Sequence, residues 1–137
     1  MNYSLQNVAT IADCDALLSL ATKERADLAF KQLSDERITS RFSETAVKLA
    51  SDMQGLMVEI SATQTIISVL PEGPSKQDAV DKLVRLEYRR FLLEQRIQSY
   101  GITALLEKEM DLARVIREIE EVDAFALAVA ARKTELS

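Results

Sequence analysis

Nine residues between positions 42 and 70 constrain this chain more than any other feature. Phe42, Ala46, Leu49, Met53, Leu56, Ile60, Thr63, Ile67 and Leu70 follow alternating steps of four and three. Steps of four and three keep side chains on one side of a helix, whereas a strand needs steps of two. Only Thr63 is polar. The run therefore reads as the apolar seam of an antiparallel bundle or coiled coil.

Composition supports the helical reading. Hydrophobic residues make up 47% of the 137, enough for a core, but aromatics only 5%. The apolar material is aliphatic and alanine-rich, which suits close helix packing better than a sheet. With three Gly and two Pro, the chain lacks the turn residues of a β-rich fold. A chain of this length defaults to one domain, so residues 1–137 are expected to form a single helical bundle.

The expected elements follow from start and stop signals. Residues 1–10 read as an N-terminal tail. Thr10 followed by Asp13 can begin a helix, with Asp13 as the competing cap. That helix spans about 11–70, since it meets no Pro and only Gly55. Its first half is less regular: Cys14, Leu17, Ala21 and Leu28 form one apolar line, and Ala26, Phe30 and Leu33 another. Ser34 and its two following acids could cap a second helix start. The expectation is one long helix with a weak point, or bend, near Ser34. Residues 71–75 are a loop, because two prolines and a glycine break a helix. Ser75 with Asp78 repeats the start signal, giving a second helix at about 76–100. Its stripe of Ala79, Val80, Leu83, Val84, Leu86, Phe91, Leu93 and Ile97 is wide enough for two neighbours. Gly101 fits the C′ position of a Schellman stop, pairing Ile97 with Ile102. Thr103 would then cap a third helix at about 103–134. The alternative is a helix that runs on through Gly101. The fold expected is an all-α, elongated antiparallel bundle of three helices with coiled-coil-like packing.

The same sequence excludes several functions. Seventeen basic against 22 acidic residues, a net charge of −5, argue against a polyanion binder, which needs a dominant positive surface. Lys82, Arg85, Arg89 and Arg96 do form a basic stripe. Glu107, Asp111, Glu118 and Glu121 on the next helix form an acidic one, and mutual pairing or plain solvation is the simpler use of both. No histidine is present, which removes the commonest general base and the Glu-x-x-His of di-iron bundles. Cys14 is the only cysteine and lies between Asp13 and Asp15, whose charges oppose a thiolate. No glycine-rich phosphate loop occurs. No catalytic residue, metal ligand or cofactor site is expected. No apolar run reaches the ~20 residues of a membrane span, and neither a signal peptide nor a disulfide pair is visible, so the expected location is cytoplasmic.

The expected role is protein–protein interaction. The last helix holds one charge between Val122 and Ala131, and a helix apolar on all sides is normally enclosed by others. That points to a homodimer or a protein partner, with Leu17, Phe30, Leu33, Phe125, Leu127 and Val129 as the candidate interaction surface. The alternative is a small acidic chaperone that binds a partner helix, similar in build to secretion chaperones or antitoxins.

Overall fold

The computed structural model describes all residues 1–137. Three α-helices follow a short 3₁₀ turn at Leu5–Asn7: α1 (Ile11–Val69), α2 (Pro74–Tyr100) and α3 (Ile102–Leu136). No strand is present, and no helix is long and apolar enough to cross a membrane.

The helix starts carry the chemistry that sets them. The Asp13 N–H donates to Thr10 Oγ1 at 3.1 Å, which selects Thr10 over Asp13 as the cap of α1. From there α1 runs unbroken through Ser34 for 59 residues. The second helix begins two residues before the expected boundary. Pro74 occupies its first turn, with Gly73 as N-cap at φ 155°. Proline is favoured there because the first-turn N–H groups have no helical partner. Gly73 supplies a φ that side-chain-bearing residues avoid, so Ser75 is not needed as a cap.

The third helix follows the second more closely than expected. Only Gly101 separates α2 from α3, and hydrogen bonding continues across it. Gly101 N–H donates to Ile97 O at 2.8 Å, and Leu105 N–H donates to Gly101 O at 3.1 Å. Ile102 is already helical, so Thr103 caps nothing. The Schellman reading fails because Gly101 has φ −84°, not the left-handed value that motif needs. Both α2 and α3 pack on α1.

The chain divides into two compact units, Thr39–Lys108 and a second made of Met1–Ile38 with Glu109–Ser137. In the unit Thr39–Lys108, all nine seam residues from Phe42 to Leu70 are buried or half-buried. Leu56, Ile60 and Leu86 form its central cluster, with Leu83 and Leu93 against it. Thr63 is 3% exposed and donates its hydroxyl to Glu59 O at 2.9 Å, so its polar atom is satisfied within the helix. Gly101 is buried, and an added Cβ would lie 2.4 Å from Ile97 O. Only a glycine fits this joint.

In the other unit, Cys14 and Ala21 on α1 and Val115, Ile119 and Val129 on α3 are buried. The four-and-three spacing continues backward along α1 through Asp35, Gln32, Leu28, Arg25, Ala21, Leu18 and Cys14. Its polar occupants conceal it from a hydrophobicity reading. Arg25 binds Asp123 with two nitrogens, at 2.7 and 3.3 Å, and Lys133 meets Asp15 at 2.6 Å. The two pairs run in opposite order along α1 and α3, which fixes the helices as antiparallel.

Candidate interaction surfaces

The N-terminal residues form a strap along α3. Arg132 Nε and Nη2 donate to Val8 O at 3.1 and 2.9 Å. The Tyr3 ring stands edge-on to Phe125, with centroids 5.0 Å apart, and its hydroxyl donates to Glu121. That bond to a carboxylate is the main reason the phenol is pushed above its usual pKa. Desolvation and the Glu121 charge act in the same direction. Residues 1–10 read as a tail because the strap is held by one side chain, Tyr3, and by the backbone carbonyl of Val8. Neither leaves a periodic signal.

This strap accounts for part of the near-chargeless α3 end. Val129 is fully buried, so its expected place on a free surface is corrected: it lies in the core of its unit. Phe125 is half-buried beneath Tyr3, and Leu17 is half-buried as well. Tyr3, Leu20, Ala21, Val122 and Phe125 are among the residues around a cavity of about 160 Å³. The other three candidate residues face solvent. Phe30 and Leu127 are each 75% exposed and Leu33 47%. Of the two apolar lines in the first half of α1, the one through Cys14 and Ala21 is covered. The one through Ala26, Phe30 and Leu33 is not.

In the unit Thr39–Lys108, α2 buries one edge of its wide stripe against α1 and leaves the rest bare. Val84, Tyr88, Phe91 and Leu92 are 46 to 63% exposed. Val84 and Phe91 belong to the stripe read from sequence. Tyr88 and Leu92 were missed, although steps of four and three link Val84, Tyr88 and Phe91 as a second line. The expected pairing of the α2 basic stripe with the α3 acidic stripe is also corrected. Lys82 instead lies 4.0 Å from Glu59 on α1. Glu72, Glu59, Glu87 and Glu94 engage Lys76, Lys82 and Arg90. Arg85, Arg89 and Arg96 take no part in these pairs.

Two grooves flank the α1–α2 seam. One, of about 510 Å³, is apolar and runs between Ala46, Ala50 and Met53 on α1 and Ile97, Gly101 and Ile102. The small side chains of Ala46, Ala50 and Gly101 leave it open. The other, of about 490 Å³, has Ser51, Asp52, Gly55 and Glu59 on one wall and Arg89, Leu92 and Arg96 on the other. Its opposed charges are mixed rather than focused on one ligand sign. No cluster of three or more His, Cys, Asp or Glu side chains is placed to hold a metal. No protein-family model, curated protein or solved structure matches the chain.

Proposed function

We propose that this chain is a non-enzymatic interaction protein that associates with itself through helix faces. One observation carries the reading. Apolar residues lie in lines outside the buried seams, as at Phe30 and Leu33 on α1 and at Val84, Tyr88 and Phe91 on α2. Scattered exposed hydrophobics are ordinary, but lines of them at helical spacing mark contact surfaces. The buried lone thiol of Cys14 and the acidic net charge fit a cytoplasmic partner-binding role better than a nucleic-acid one. Light scattering across a concentration series tests self-association. A growing dimer mass is expected, and a monomer throughout would end the proposal.

A second reading is a chaperone for a partner protein helix. It is favoured by the unit Met1–Ile38 with Glu109–Ser137, whose seam admits Arg25, Gln32 and Asp35 while Phe30 and Leu33 stay bare. Hydrogen exchange discriminates. Weak amide protection over residues 22–38 in the isolated protein supports this reading, and uniformly strong protection counts against it.

A further inference from the structure

We infer that the N-terminal strap is exchanged between copies: residues 1–8 of one chain dock on α3 of a second, whose own strap docks in return. The inference rests on the self-association proposed above, without needing the helix faces given there. Residues 1–8 are covalently joined to α1, yet every hydrogen bond they make outside the strap ends on α3, at Glu121 or Arg132. The Tyr3 ring likewise stands edge-on to Phe125 of α3. Such a site selects a strap by its chemistry alone, and the strap of a second copy has the same chemistry.

The hinge and the order of the anchors carry the exchange. Only Ala9 lies between Val8, whose carbonyl Arg132 holds at 3.1 and 2.9 Å, and Thr10, which caps α1. Across that residue the chain reverses. The strap runs from Glu121 towards Arg132 along α3, while α1 runs back from the Asp15–Lys133 pair to the Arg25–Asp123 pair. A hinge this short has little slack, the condition under which an element passes to a neighbour instead of folding back. Opened straight, the strap leaves α1 at the end of the unit where α3 stops. When the same end of a second copy meets it about a two-fold axis, Val8 reaches that copy's Arg132 first. Tyr3 then reaches its Glu121 and Phe125 farther in, so the anchors are met in the order in which they stand along the strap. Each bond of the closed form is remade between copies, which makes such exchange a low-cost route to a dimer. Hinge length and concentration decide between the two forms.

Sedimentation equilibrium on the full chain tests the exchange, with circular dichroism confirming that each variant keeps its helicity. Deleting Ala9 should tighten the dimer at least about tenfold, because the shortened hinge denies Tyr3 its own Phe125 and leaves that ring to a second copy. Inserting two glycines after Val8 should weaken the dimer several-fold, since the added slack lets the strap fold back. Tyr3→Ala in the chain lacking Ala9 should cancel the gain, by removing the aromatic pair and the bond to Glu121. A wild-type chain that stays monomeric overturns both the exchange and the self-association it rests on. A wild-type dimer indifferent to hinge length overturns the exchange alone and leaves the helix faces as the contact. A tightened dimer that Tyr3→Ala does not weaken overturns Phe125 and Glu121 as the receiving site.

Discussion

Single residues decide how well the unit Met1–Ile38 with Glu109–Ser137 is held. Asp35 lies on the seam of α1, half-buried, with Oδ2 shielded and lacking any hydrogen-bond partner. A shielded polar atom without a partner costs about 1–3 kcal/mol, so Asp35→Leu should stabilise the protein by about 1–2 kcal/mol. A urea titration reads this as a higher midpoint at unchanged slope, and a lower midpoint would show that the carboxylate is engaged. Tyr3 gives a second prediction. Its pKa in the folded chain is raised above 10.0 by the bond to Glu121. The neutral phenol is therefore the form that fastens the strap. That contribution is complete below pH 10 and fades as pH climbs through the folded pKa. The difference between wild-type and Tyr3→Phe absorbance titrations isolates this phenol, and its midpoint should lie above 10.0. A midpoint at or below that value would mean the strap is undone in solution. Neither feature was legible beforehand, because an unpartnered oxygen and a phenol–carboxylate bond depend on which distant side chains meet.

Helical elements were legible wherever local chemistry alone defines them. Thr10 with Asp13, the loop after α1 and the Phe42–Leu70 seam each need only neighbours within a few turns, and each is present, although the loop ends at Gly73 instead of Ser75. The first half of α1 was harder to read because Arg25 and Gln32 occupy seam positions, where a hydrophobicity pattern shows a gap. Gly101 does interrupt the helix, but without the left-handed geometry of the expected Schellman stop. A buried glycine in an otherwise helical pattern signals a stop by propensity, yet here it lets Ile97 O approach where a Cβ cannot fit. Two effects oppose each other in Gly101→Ala. Alanine gains about 1 kcal/mol of helix propensity over glycine. Against that, a Cβ at 2.4 Å from a backbone oxygen forces the α2–α3 joint to shift and disturbs the packing of Leu105, at a cost of about 2–4 kcal/mol. The clash should win, lowering stability by about 1–3 kcal/mol. A melting temperature that rises instead would show that α2 and α3 fuse into one helix without loss.

For the whole molecule, the apolar content visible in the composition exceeds what the helix seams bury. A third helix was expected to absorb that excess, since the α2 stripe is wide enough for two neighbours, and the chain supplies only one. What remains is exposed, and under the proposed self-association it is the surface a second copy would cover. A second copy that binds the folded chain and not the unfolded one stabilises it by mass action, by up to about 1.4 kcal/mol for each tenfold rise in free partner above the dissociation constant. Shared between two protomers of this size, that corresponds to a melting temperature about 2–4 °C higher per decade of concentration. Calorimetry at rising concentration should show this climb in the wild type and a flat response in Tyr88→Arg, whose folded monomer is otherwise unaltered. A flat response in both would mean that association, if present, adds nothing to folding, and that the outer face of α2 is stable while bare. A climb in both would place the stabilising contact elsewhere, with the bare line of Phe30 and Leu33 as the surface next in extent.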